Sequence, residues 1–247
     1  MIEPWNIKED DARLADSLPT FIIFCEDKVS EPEYFDSFDT DLISVSFIRN
    51  CGQHHKNVDF ATEYCRKNDL LEIIDGKEKL KIDDGAQVWC VFDRDKEPDD
   101  GKDSSFSNSI DIAILKGFKL AWSNDSFELW ILLHFEDVDA SNVINNHRKT
   151  YYDRLTEIFK TIQNPNEDLG TAIRNPYFNY KDHFKNLNNF RNIVRSEIIE
   201  KTKDAIKRAK TLEEYHSIPN KPNHEKSPCT MVHHLVEELL RLGGKEI

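Results

Sequence analysis

No stretch of the 247 residues is apolar over anything near the roughly 20 positions that a bilayer-spanning helix needs, so no membrane contact is expected. The first 19 residues, Met1 to Pro19, lack both the basic start and the apolar centre of a secretory leader. They are read as a loosely held segment of a chain that stays in the cytoplasm. Cysteine occurs five times, at 25, 51, 65, 90 and 229, an odd number with no C-x-x-C pair, which argues against a disulfide framework and points to reduced thiols. Glycine is scarce, at 8 residues, and no repeat or low-complexity tract interrupts the chain, as expected of an ordinary helix-rich globule. Basic residues are outnumbered, 33 Lys and Arg against 46 Asp and Glu, for a net charge of −13.

Those acids are not scattered evenly. Phe21-Ile22-Ile23-Phe24-Cys25 is an apolar strand-like run that ends in Glu26-Asp27, and Ser30-Glu31-Pro32-Glu33 follows with the spacing of a helix-opening capping box. Val88-Trp89-Cys90-Val91-Phe92 is a second such run, ending in Asp93, Asp95 and Glu97, whose alternate positions share one side of an extended chain. Leu120-Ala121-Trp122 leads through the polar turn Ser123-Asn124-Asp125-Ser126 into an apolar helix with Glu128 in its first turn. Acids often follow strands simply to cap helices and solvate turns. Three clusters, each at a strand exit, carry more than any one of them.

Carboxylates gathered at one sheet edge repel each other and raise each other's pKa unless a cation compensates. Magnesium or manganese, one ion or two, is the expected cation, because hard oxygen donors suit these ions and magnesium completes its shell with water and substrate phosphates. Phosphoryl chemistry is the corresponding expectation.

Several of these stretches together carry a family resemblance. Phe24-Cys25-Glu26-Asp27, Glu33-Tyr34-Phe35, Phe92-Asp93-Arg94-Asp95, the stretch from Ser123-Asn124 to Leu133-His134-Phe135, and the late Ser227-Pro228-Cys229-Thr230 resemble the RloB family, whose core is similar to the Toprim domain of topoisomerases and primases. The resemblance implies a Toprim fold and a metal-dependent nuclease used in bacterial defence against phage, often beside an ATPase partner. It further implies that Glu26 is the general acid or base, or shares a metal, that Asp93 and Asp95 bind metal, that Glu97 completes a D-x-D-x-[D/E] pattern, and that Glu128 is the extra acid able to hold a second metal. Two positions depart from the family's usual pattern: Asp27 stands where glycine is common, and Asp125 where proline is common.

The acidic balance is awkward for an enzyme acting on DNA or RNA, since phosphate backbones favour basic surfaces. Its distribution softens the difficulty: from Arg174 to Lys210 the chain has ten Lys and Arg against four acids, with Tyr177, Phe178 and Tyr180 offering rings for base stacking. A solvated helix face with core aromatics explains the same pattern. Lys181 is the candidate for stabilising phosphoryl charge in the transition state. His54 and His55 follow the second strand and are read as surface. Cys229 with His233 and His234 is too small a set for a closed zinc site.

The expected organisation is an α/β, Toprim-like, mostly parallel sheet over 20–137, with a helical C-terminal extension over 138–247 packing on it. Strands are expected at 20–25, 44–49, 87–92 and 118–123, with helices at 31–39, 58–71, 107–116 and 126–135. Beyond Asp137 only helices are expected, at 150–163, 181–187, 188–210 and 230–242, the last capped by Thr230. The alternative to a nuclease is a non-catalytic Toprim-like sensor or scaffold that binds an ATPase or a nucleotide, and self-association into a homo-oligomer is left open.

Overall fold

The computed structural model describes residues 18–81, 86–95, 102–142 and 147–245. Glu97 and most of the 96–105 connection lie outside these residues, as does the N-terminal segment up to residue 17.

The chain is α/β. Strands β1 (Thr20–Cys25), β2 (Ser44–Ile48), β5 (Ala86–Val91) and β6 (Lys119–Leu120) form one parallel sheet in the order β2-β1-β5-β6. This is the Toprim-like arrangement. Helices α1 (Ser30–Phe35), α2 (His55–Lys67), α3 (Lys102–Leu115) and α4 (Phe127–Leu133) connect and flank the strands. The central pair, β1 and β5, is apolar at almost every position because both of its faces are covered, the usual condition of a parallel sheet. Strand periodicity then sorts the side chains between two cores. Phe21, Ile23, Trp89 and Val91 pack on one face with α1, α4 and the C-terminal helices. Ile22, Phe24, Val88, Cys90 and Phe92 pack on the other with α2 and α3.

The C-terminal part contributes α5 (Arg148–Thr161), α6 (Glu167–Ile173), α7 (Tyr180–Phe184), a long irregular helical run from Leu187 that ends in α8 (Thr202–Tyr215), and α9 (Val232–Leu242). Residues on both sides of position 137 share the first core: Tyr34, Trp130, Leu155, Phe184 and Leu235 all belong to it.

Several local expectations are corrected. Residues 71–80, where no strand is expected, form the antiparallel hairpin β3 (Leu71–Ile74) and β4 (Lys77–Leu80), and α2 begins and ends earlier than expected. The last expected sheet strand breaks into β6 and β7 (Ser123–Asn124). One strand does occur after Asp137: β8 (Cys229–Thr230) pairs antiparallel with β7, with Ser123 Oγ and Thr230 Oγ1 3.0 Å apart. Thr230 is therefore a strand residue, although its hydroxyl still accepts from Val232 N–H near the start of α9. Ser30 lies inside α1 and caps nothing; Asp27 accepts from the Val29 and Ser30 N–H groups, and Glu31 accepts from Asp27 N–H. The cap is displaced three residues towards the strand.

Asn57 of α2 donates from Nδ2 to the carbonyls of Phe24 (3.2 Å) and Val91 (3.0 Å), joining the ends of the two central strands. Asn57→Ala should cost about 2 kcal/mol, since two buried carbonyls lose their shared donor. Urea unfolding would show a lowered midpoint with an unchanged slope.

A carboxylate pocket at the ends of the central strands

Glu26 is the first residue past β1, and its N–H still reaches Val91 O at 3.1 Å, so its side chain emerges where the β1–β5 ladder ends. Its Oε2 accepts from Asp93 N–H at 3.1 Å, tying the first acidic cluster to the second. Asp93 extends the β5 line by a parallel bridge to Ser123, and Arg94 N–H donates to Ser123 O. Asp95 then leaves the extended path with φ +49°, a region that aspartate tolerates better than most residues, while its N–H reaches Asp125 O at 3.1 Å. The alternation expected along 93–97 thus ends at Asp95, yet Asp93 and Asp95 still face one cavity. Ligands of open α/β sheets commonly bind beyond the carboxyl ends of the strands, the position this cavity occupies.

The cavity has a volume of about 420 Å³ and is lined by six carboxylates, Glu26, Asp27, Glu31, Asp93, Asp95 and Glu128. Of the residues singled out in the sequence, Glu26, Asp93, Asp95 and Glu128 are brought together here, and Glu97 lies outside the described residues. Glu31 was missed because it reads as an ordinary acid of a helix start. It is only 1% exposed, and burial, then Asp27 and Glu26, push its carboxyl well above the usual range.

Crowding shows in the protons. Burial and then Asp95 raise Glu26 to about 7, against the Asp93 N–H and Gln53, which favour its ionised form. Burial raises Asp93 as well, followed by Glu26, Glu31, Asp95 and Glu128. Asp95 is also raised by burial, although Arg148 and Gln53 both bind it and pull the other way.

Two cations enter from the C-terminal part. Arg148, at the start of α5, pairs with Asp95, and its own N–H donates to Asp125 Oδ2 at 3.0 Å. Lys185, just past α7, places Nζ 2.8 Å from Glu128 Oε1 and 3.1 Å from the Tyr152 hydroxyl. Burial alone would lower the Lys185 ammonium, but Glu128 and Tyr152 hold it above the ordinary lysine range. Ser126 Oγ donates to the other Glu128 oxygen at 2.8 Å.

Lys181 is not among the lining residues. It borders an adjacent cavity of about 640 Å³ with Arg148, Lys149, Tyr152, Asp153, Thr156 and Asn179. The two cavities share Arg148 and Tyr152, so the polar wall contributed by α5 is continuous. The composition of the basic segment singled it out but not which of its lysines faces the acids. Of the three aromatics read as possible base-stacking rings, only Tyr177 is exposed, at 84%; Phe178 and Tyr180 are core.

Other motif residues hold the pocket in place. His134 is buried between Tyr34 and Trp130: Nδ1–H donates to Trp130 O at 2.8 Å, and Nε2 accepts from the Tyr34 hydroxyl at 3.0 Å. Burial keeps the ring neutral, with its pKa lowered to about 3. Glu33, 1% exposed, pairs with Arg191 at 2.7 Å and with Arg49 at 3.2 Å. Asn124 Nδ2 donates to the carbonyls of Asn223 and His224. His54, expected at the surface, is buried, with Nε2 3.1 Å from Arg94 O. His55 is exposed, its Nδ1 3.2 Å from Ser105 Oγ. Neither histidine lines the cavity.

The donor set is all oxygen, with raised carboxyl pKa values that a hard divalent cation would relieve, so the residues present fit magnesium or manganese. Among the described residues, no three of these carboxylates bring ligand atoms within 4.8 Å of one another. At most two of them therefore share a ligand position as they stand, so an ion held there would complete its shell with waters and oxygens of a bound phosphate.

Comparison with known proteins gives one family: a model described as RloB-like protein matches residues 21–239. No curated protein and no solved structure matches the chain.

Proposed function

The chain belongs to the RloB-like family, and from that membership and the carboxylate pocket we propose that it is a Mg²⁺- or Mn²⁺-dependent nuclease hydrolysing phosphodiester bonds of DNA or RNA. The observation that carries this reading is the convergence of Glu26, Asp93, Asp95 and Glu128 on one cavity, with Glu26 held at about 7, where a group gives and takes protons most effectively near neutral pH. In this reading Asp93 and Asp95 hold one ion, Glu128 helps to hold another, and Glu26 either shares an ion or moves the proton of the attacking water. The bound metal would supply charge neutralisation at the phosphoryl oxygens. Lys185 and Arg148 orient Glu128 and Asp95, and their positive charge favours a phosphate at the mouth of the pocket. The wall that bears Lys149 and Lys181 supplies a path for the rest of a polyanionic chain.

The proposal extends to phage defence and to control by an ATPase partner, both drawn from the family resemblance. A sensor or scaffold is the second reading, favoured by the internal cations that already pair with Asp95 and Glu128. The test is incubation of the purified chain with tRNA, single-stranded DNA and duplex DNA in Mn²⁺, in Mg²⁺ and in EDTA, with and without its ATPase. Cleavage that EDTA abolishes supports the enzyme. Intact substrates under every condition, with the partner active, overturn it.

A further inference from the structure

A second group of metal-ligating side chains lies away from the carboxylate pocket, and none of its members lines that cavity. It consists of Glu213, in the last turn of α8, and of His233 and His234, in the first turn of α9. Their ligand atoms all lie within 4.8 Å of one another. His233 Nε2 is 2.9 Å from Glu213 Oε2, and His234 Nε2 is 3.1 Å from Glu213 Oε1. The two rings stand side by side with centroids 4.1 Å apart. The cysteine considered with these histidines in the sequence, Cys229, is not part of the group; Glu213, twenty residues before His233, takes its place.

The orientation of His233 carries the argument. This side chain is fully buried, and its Nδ1 lies 3.1 Å from the carbonyl of Thr230. A carbonyl only accepts, so Nδ1 carries a proton and Nε2 is the position left to bind something else. What Nε2 faces is a carboxylate oxygen, another acceptor. Two lone pairs at 2.9 Å require a positive charge between or beside them, either an additional proton or a metal ion. A backbone carbonyl that fixes one imidazole nitrogen while the other points at a carboxylate and a second imidazole is the support that metal-bound histidines usually have. Glu213 and His234 remain partly open to solvent, at 37% and 46%, so water has access to a further coordination position.

We propose that Glu213, His233 and His234 form a site for a borderline divalent transition ion, with Zn²⁺ as the expected occupant. Two imidazoles and one carboxylate with an open fourth position match zinc and are poorly suited to magnesium. The site clasps α8 to α9 across the connection that contains β8. Because Thr230 of β8 pairs with Ser123, and Ser123 bridges to Asp93, the clasp steadies the strand that supports the carboxylate pocket from behind. This inference does not depend on what the carboxylate pocket does.

The test uses the full-length, untagged chain carrying Asp93→Asn and Asp95→Asn, so that divalent ions do not report on the other pocket. After EDTA treatment and desalting, calorimetric titration with Zn²⁺ should show one equivalent bound. Thermal unfolding should shift up by about 5–10 °C when free Zn²⁺ is about 100 times the dissociation constant. Mg²⁺ at the same concentrations should do neither. Adding His234→Ala, at a position 46% exposed, should weaken Zn²⁺ binding at least about tenfold, and Glu213→Gln should do the same. Zn²⁺ that fails to bind, or that binds the His234→Ala protein as tightly, overturns the proposal and leaves the group as a histidine–carboxylate ion pair.

Discussion

Asp93→Asn should abolish metal-dependent cleavage, by about 10³-fold or more, and should leave the metal-free protein at least as stable as the wild type. The first half follows from the place of Asp93: it is the residue that continues β5 into the pocket, its N–H is bonded to Glu26, and its carboxyl faces four others. A bound metal is worth several kcal/mol of charge stabilisation in phosphoryl transfer, and each 1.36 kcal/mol is a factor of ten. The second half follows from the direction of the Asp93 shift. A carboxyl pushed up by burial and by Glu26, Glu31, Asp95 and Glu128 is one whose ionised form the folded state disfavours. Asparagine keeps nearly the same shape and removes the charge, so the repulsion is relieved. A site selected for stability would lose stability on this change; a site selected to hold a cation would not. The paired measurement is turnover with Mn²⁺ beside thermal unfolding in EDTA. Full activity in the variant sinks the metal assignment, and a large drop in melting temperature without metal sinks the claim that the crowding is a cost borne for function.

The contrast between stability and chemistry also separates what the sequence made legible from what it hid. Strands β1 and β5 were legible because a parallel strand covered on both faces leaves an unbroken apolar run, and the acids at their ends were legible because they terminate those runs. Glu128 was legible for the same reason, one polar turn after a short strand. Glu31 was hidden because burial of an acid depends on tertiary packing, and its helix packs against the segment 190–195, far along the chain. Lys185 and Arg148 were hidden likewise: Arg148 lies outside the basic stretch 174–210, and within that stretch four residues, just over one helical turn, separate Lys185, which meets Glu128, from Lys181, which borders the neighbouring cavity. The pairing of β8 with β7 was invisible because two-residue strands have no period, and Ser227-Pro228-Cys229-Thr230 carries no pattern that names Ser123 as its partner. The cap of α1 was misplaced because Ser30 and Glu33 satisfy the capping-box spacing as well as Asp27 and Glu31 satisfy the true contacts.

The pocket balances its own charge in part. Lys185 and Arg148 stand against Glu128 and Asp95, leaving Glu26, Glu31 and Asp93 as the acids whose protons are most strongly held. A substrate phosphate drawing Arg148 and Lys185 to itself would release Asp95 and Glu128 to divalent ions held together with Asp93, exchanging internal pairings for external ones. Both internal cations come from the helical part beyond residue 137, so anything that shifts α5 or α7 changes the charge of the site without touching the acids. That coupling would give the proposed ATPase partner a physical means of control.

Replacing Glu26 by glutamine should change the pH dependence of folding in a direction fixed by the sign of its shift. Glu26 is raised from 4.5 to about 7, chiefly by burial and then by Asp95. Below about pH 4.5 the group is neutral in both the folded and unfolded chain and costs nothing. As pH rises from 4.5 towards 7 the unfolded chain releases this proton while the folded protein retains it, so wild-type stability falls; above 7 the loss is complete, at about 3 kcal/mol. His134 acts in the opposite sense, because burial lowers its pKa to about 3 and folded stability is lost as pH falls below 6.5. The raw wild-type profile mixes these two effects with those of the raised Glu31, Asp93 and Asp95 carboxyls. The difference between Glu26→Gln and wild type cancels the His134 effect and reports Glu26 together with the relief its lost charge gives Asp93 and Glu31: it should grow above pH 4.5 to about 3 kcal/mol in favour of the variant by pH 7, or about 6–12 °C in melting temperature for a chain of this length. Saturating Mn²⁺ should remove most of that difference, because a bound cation stabilises the ionised carboxylate in the folded state alone. A difference that stays flat from pH 4 to 8 would mean that Glu26 titrates as a solvated acid, and would remove the basis for giving it either a metal or a proton to handle.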